Sequence, residues 1–213
     1  MSFYRVLCLM GAVLTAHAAH SARVGILVNV PPTTPAPVVE ALQSETEDNL
    51  KDTGLQLIWS FSQEEAAQET YDRVISLRLL GRCVPLRPEP VKNSRVLGFT
   101  HISDGTVLPF VEISCDTVLR VMGSGSPRVT PYYPPNEFGR ALGRVLVHEM
   151  LHVLTVSSTH ERDGLTKPAF NRADLTLGNL RLTGRALQRL HRSLGHPDLQ
   201  AQNGGNQRAN AEE

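Results

Sequence analysis

Val145 to Leu154 reads Val-Leu-Val-His-Glu-Met-Leu-His-Val-Leu, and Thr159-His160-Glu161 follows shortly after. This stretch constrains the chain more than any other. His148 and His152 are four residues apart, so a helix stacks their imidazoles on one face, one turn apart. Two imidazoles so placed can hold one Zn²⁺. Glu149 then stands where it can take a proton from an activated water. Around this H-E-x-x-H pattern, Asn136 to Leu154 reads as one helix. Phe138, Leu142, Val145, Leu146, Met150, Val153 and Leu154 make it apolar on much of its circumference. Pro134-Pro135-Asn136 supplies a start, with Asn136 as the expected N-cap. A helix of this kind is buried, and buried imidazoles and carboxylates need partners. The plain alternative is a pair of histidines hydrogen-bonded within a core.

A catalytic zinc takes three protein ligands and keeps one position open. After Glu161 the next Glu is Glu212, so a Glu ligand from a later helix is nearly excluded. The candidates for the third ligand are His160, Glu161, Asp163, Asp174, His191 and His196. His160 is preferred, because Ser157-Ser158-Thr159 can turn the chain back towards the helix.

The H-E-x-x-H helix resembles the zincin metallopeptidases. With the downstream His160, it resembles the metzincin pattern H-E-x-x-H-x-x-G-x-x-H with its following Met-turn. Three departures stand out. His160 comes two residues later than that pattern has it, Thr155 replaces the Gly, and Thr166 stands where a Met is expected. The resemblance covers residues 136–175. It implies an α+β, zincin-like fold: an N-terminal lobe on a mixed β-sheet, the motif helix, and a small C-terminal helical lobe. It further implies zinc held by His148, His152 and His160, Glu149 as general base, and a peptide or protein substrate. A zinc-bearing but inactive protein that binds partners through the same cleft remains open, as does a secreted binding domain without metal.

Export sets the context. Arg5, the apolar run Val6 to Leu14 and Ala16-His17-Ala18 read as a signal peptide over residues 1–18, so a secreted or periplasmic chain is expected. That run is too short to span a bilayer. Cys8 leaves with the signal, and Cys83 and Cys115 remain as an expected disulfide. The formal net charge is zero, which points to neither nucleic acid nor an anionic membrane. A monomer is expected, with one domain over 19–198 and a disordered Asn/Gln/Gly-rich tail over 199–213.

In order, the chain reads as a strand at Ala22–Val30, a helix at Val38–Lys51 ended by Gly54, and a strand at Leu55–Phe61. A polar connection and a strand at Tyr71–Val84 follow, then a Pro-rich loop and a strand at Ser94–Ile102. Asp104-Gly105 marks a turn. Val107 to Met122 reads as a strand or bent pair broken near Cys115-Asp116. Pro109 is expected to hold that part at a sheet edge, where the metzincin resemblance implies pairing with a substrate chain. Tyr132 and Tyr133 are read as packing at the helix entrance, with a cleft role as the alternative. Asn171 and Asp174 can cap a last helical region, either one kinked helix or two short ones.

Overall fold

The computed structural model describes residues 21–86, 96–124, 132–178 and 180–195. The expected signal peptide, most of the Pro-rich loop, His196 and the expected disordered tail lie outside the described residues.

β1 (Ala22–Asn29) is followed by α1 (Ala36–Leu50), a 3₁₀ turn at Lys51–Thr53, and β2 (Leu55–Ser60). Gly54, at φ 75°, ends the helical run where the sequence places the stop. β1 and β2 pair in parallel, which requires a crossover, and α1 provides it. The short α2 (Gln63–Ala67) leads to β3 (Arg73–Leu80), and β4 (Gly98–Ser103) and β5 (Thr106–Ser114) form a hairpin through Asp104-Gly105. The sheet order is β2-β1-β3-β5-β4; its pairings are parallel except for the antiparallel β4–β5. The expected mixed sheet is present and is mostly parallel. Alternate residues of the inner strands, such as Ile26, Ile75, Leu77 and Ile113, are fully buried. They share one core with Val38 and Leu42 of α1 and Leu142 and Leu146 of α4 (Pro135–Thr155).

Two expectations about β5 need correction. Its second half is not strand: after Ser114 the chain becomes α3 (Cys115–Met122), capped by the Ser114 hydroxyl, which accepts from the Thr117 amide. The break falls where the sequence marks it. β5 is also interior, and the edge belongs to β4. Pro109 is tolerated because β3 pairs with β5 only from Phe110 onward, and because the β4–β5 register shifts between Thr100 and Ile102, opposite Pro109. Its missing N–H therefore falls outside the regular ladders. Cys83 and Cys115 are joined as a disulfide with Cα atoms 5.1 Å apart, tying the chain after β3 to the start of α3.

α4 begins one residue earlier than expected. Pro134 is the N-cap and Pro135 the first helical residue, so Asn136 lies inside the helix. A proline is suited to that first position, where its fixed φ is already helical and no N–H partner is needed. Gly139 and Gly143 let α4 lie directly on α1. A Cβ at Gly139 would come within 2.3 Å of the Val38 carbonyl oxygen, and one at Gly143 within 2.8 Å of that of Leu42. Arg144 fixes the other side. It is buried, meets Glu45 of α1 at 2.7 Å, and donates to the carbonyls of Asp174 and Leu177. α4 is thus held between α1 and the C-terminal segment. That segment carries a 3₁₀ turn at Gly164–Thr166, α5 (Arg172–Thr176) and α6 (Gly184–Ser193), so the last region is two short helices. Asn171 and Asp174 form the expected capping box on α5.

Candidate metal centre

α4 presents His148, Glu149 and His152 towards a cleft of about 460 Å³, and His160 returns to it from the following loop. The three histidines form a cluster in which His148 is set deepest and His160 is exposed.

The ring nitrogens have distinct partners. His148 Nδ1 lies 2.7 Å from the Leu165 carbonyl oxygen, and His152 Nδ1 lies 2.6 Å from that of Ser157. A carbonyl only accepts, so both Nδ1 atoms carry the proton and both Nε2 atoms present a lone pair. Those Nε2 atoms face each other at 3.1 Å, and His160 Nε2 lies 3.3 Å from that of His148. Two bare lone pairs at 3.1 Å repel one another. A cation between them removes the conflict. Four nitrogens arranged tetrahedrally at a Zn–N distance of about 2.0–2.1 Å would stand roughly 3.3–3.4 Å apart. The two spacings to His148 Nε2, 3.1 and 3.3 Å, are close to that figure, and the three ligand atoms all lie within 4.8 Å of one another, so the donor set suits a small cation.

The loop that brings His160 back starts from a strained residue. Val156 closes α4 in the left-handed conformation, at φ 48°. β-branched residues avoid this region. The turn lets Ser157 donate its amide to the His152 carbonyl while its own carbonyl accepts from the same histidine's ring. The left-handed position therefore falls one residue after Thr155. Val156 is largely exposed, so replacing it removes little packing. Val156→Gly is expected to raise the stability of the metal-free chain by about 1 kcal/mol, as relief of left-handed strain outweighs glycine's added unfolded-state entropy. Thermal unfolding of the two chains checks this.

Beyond His160, Glu161 anchors the loop. Its carboxylate accepts from the Thr183 hydroxyl and pairs with Arg189 at 2.7 Å, and its amide donates to the Thr166 carbonyl. Asp174 pairs with Lys167, and His191 is buried on α6 away from the cluster. Asp163 is exposed at the start of the 3₁₀ turn. None of these four joins the three histidines.

Glu149 is 5% exposed. Burial pushes its carboxyl up to about 7, against the pull of the hydrogen bond from Thr100. Thr100 Oγ1 lies 2.8 Å from Glu149 Oε2 and 3.2 Å from the Glu149 carbonyl oxygen. Burial likewise holds His148 down to about 4, with His152 and His160 adding to the effect and the Leu165 hydrogen bond opposing it. His160 is lowered as well, by burial and by His152.

Thr100, the Leu165 and Ser157 carbonyls, and Gly98 escape a reading of the sequence. Gly98 is where β4 crosses α4. A Cβ there would stand 2.8 Å from Val145 and 3.2 Å from the Glu149 side chain. A glycine inside a strand pattern is the one signal the sequence offers for this close approach. Apart from Ser158 and Lys167 the rest of the cleft is apolar, with Ile102 and Val107 on the sheet side and Phe170 opposite, its ring edge-on to His148 at 5.4 Å. Tyr133 is buried and donates to the Met122 carbonyl, and neither it nor Tyr132 lines the cleft.

No protein-family model and no curated protein matches the chain. Among solved structures, it is similar to an archaemetzincin from Methanopyrus kandleri at 12% identity, with a TM-score of 0.48 over 86% of this chain and all of that one. A likeness at this level says nothing about the site, which stands on its own geometry.

Proposed function

We propose that the chain is a zinc-dependent peptidase. The carrying observation is the convergence of three imidazole nitrogens, two of them fixed as unprotonated donors by carbonyls behind them, beside a buried carboxyl held near neutrality. His148, His152 and His160 would hold the metal. When bound, zinc would supply Lewis-acid activation of water and of the scissile carbonyl. Glu149, buried beside the three histidines, would serve as the general base. It would accept the proton from the attacking water and deliver it to the leaving amine. Thr100 keeps the carboxyl oriented, and Gly98 gives it room beside β4. Leu165 and Ser157 hold the two imidazoles in the ligating tautomer, a role that partners behind metal ligands commonly fill. Among the described residues no strand pairs with the outer side of β4, which runs along the cleft and suits an extended peptide added by backbone pairing.

The signal-peptide reading places this activity outside the cytoplasm, which agrees with the disulfide. Residues 19–198 would form the catalytic domain of a monomer, and no described helix is long and apolar enough to cross a membrane.

The test is metal removal. The purified chain reconstituted with one zinc is expected to cleave a mixture of quenched-fluorescent peptides. Stripping with a chelator should abolish cleavage, and zinc should restore it. Cleavage that survives complete stripping, or zinc-loaded chain that cleaves nothing, would overturn the reading.

A further inference from the structure

His160 lines two hollows. One is the apolar cleft already described. The other lies between the His160 loop and α6, and it is lined by Arg162, Arg185, Arg189 and Arg192 together with Glu161 and Asp163. Arg185, Arg189 and Arg192 recur at i, i+4 and i+7 on α6, so the helix turns all three to one side. Arg189 is committed to Glu161. Arg162, Arg185 and Arg192 are exposed, and among the described residues their guanidinium groups make no ion pair or hydrogen bond. Asp163 is the acid left to offset them. In a chain of zero net charge, this is, among the described residues, a local concentration of unpaired guanidinium beside the three histidines.

We propose that this groove receives an acidic segment of the peptide substrate, so that the enzyme selects chains carrying an apolar residue on one side of the scissile bond and Asp or Glu on the other. The inference rests on the peptidase reading above. A peptide that leaves the apolar cleft past His160 enters the groove directly, because that residue belongs to both. Arg185 to Arg192 spans roughly 10 Å of helix, about the length of three residues of extended chain. Guanidinium forks bind carboxylates bidentately, which favours Asp and Glu over neutral amides of the same shape. Exposed pairs of this kind contribute modestly, so two of them predict a preference of about five- to tenfold. The short basic run, with Glu161 and Asp163 set among the arginines, fits a short acidic peptide better than a continuous phosphate backbone.

The experiment compares matched quenched-fluorescent peptides bearing Asp-Glu-Asp or Asn-Gln-Asn on either side of one apolar residue. Their kcat/KM ratio is measured on zinc-loaded parent and on Arg185→Glu/Arg192→Glu, after zinc content and circular dichroism show the variant folded. The same peptides are titrated by fluorescence anisotropy onto zinc-loaded Glu149→Gln, where binding is read without turnover. The parent is expected to favour the acidic peptide about five- to tenfold at low salt, and the double variant to lose or invert that ratio. Acidic-peptide binding to Glu149→Gln that weakens with salt, with no cleavage by the parent, would uphold the groove and sink the peptidase reading. Cleavage without acidic preference would do the reverse. A preference that persists in the double variant, or a single-stranded oligonucleotide that displaces the acidic peptide at lower concentration, would overturn the assignment.

Discussion

Glu149→Gln is expected to keep its zinc and lose peptide hydrolysis by about two to four orders of magnitude, the usual range for removing a general acid–base group. The substitution preserves shape, so Thr100 can still donate to the side-chain oxygen and α4 still packs under Gly98. Zinc content measured beside kcat separates loss of the base from loss of the site. If the variant cleaves as fast as the parent, Glu149 is not the base.

The same variant carries a second signature in the metal-free chain. Glu149 has a folded value of about 7, raised from 4.5, so the folded state holds a proton between those limits that the unfolded state has released. Its contribution to stability is fully present below about 4.5 and is lost as pH rises through 7. His148 has the opposite sign. Its value falls from 6.5 to about 4, so the unfolded state takes up the proton first and stability is lost as pH falls through that window. Between about 4.5 and 6.5 the two effects nearly cancel. In Glu149→Gln the His148 effect, joined by that of His160, is no longer offset by the carboxyl. The metal-free variant should lose stability on acidification more steeply than the parent, the two slopes differing by up to about 1.4 kcal/mol per pH unit. At pH 8 the variant should be the more stable of the two, by about 2–3 kcal/mol, because it no longer buries a charged carboxylate. Denaturant unfolding across pH 4 to 8 decides both points, and equal slopes in the two proteins would refute the account.

What the sequence reveals of this molecule follows from where each signal is local. The motif helix is legible because His148, Glu149 and His152 are related by helical spacing alone. His160 is legible because the polar run after the helix leaves few residues able to return. The strand order is not legible, since β1, β2 and β3 differ little in composition and pair at long range. Pro109 cannot donate and so points to an edge, whereas the register shift that accommodates it inside the sheet depends on β4. α3 is not legible because Val118, Leu119, Val121 and Met122 suit either a strand or a helix; the Ser114 cap decides it. The carbonyls of Leu165 and Ser157 have no side-chain signature. Val156 contradicts one, since a β-branched residue is the last expected at a left-handed turn. Strain of this kind persists where the surroundings over-determine it, and here His152 is bonded to Ser157 from both its backbone and its ring.

His160→Ala is expected to lower zinc affinity by more than the 10- to 100-fold typical of losing a partner behind a metal ligand, because it removes a ligand outright. His148 and His152 would then be left with two donors on one helix, and the site would need two outside ligands instead of one. Fold stability without metal should change little, since His160 is exposed and its loop is anchored independently by Glu161 to Thr183 and Arg189. Competition with a chromogenic chelator gives the affinity, and thermal unfolding of the stripped chains gives the control. Acid titration adds a directional check. Protons displace a metal by occupying its ligands, and imidazole does so near its own pKa. With His148 held at about 4 and His160 also lowered, the parent should retain zinc below the pH of about 6.5 at which an unperturbed imidazole would begin to release it. Glu161→Gln makes the complementary case. It leaves all three imidazoles but weakens the anchor that returns His160, so its affinity should fall between parent and His160→Ala. If His160→Ala binds zinc as tightly as the parent, His160 is not a ligand, and its closeness to His148 is an accident of the loop.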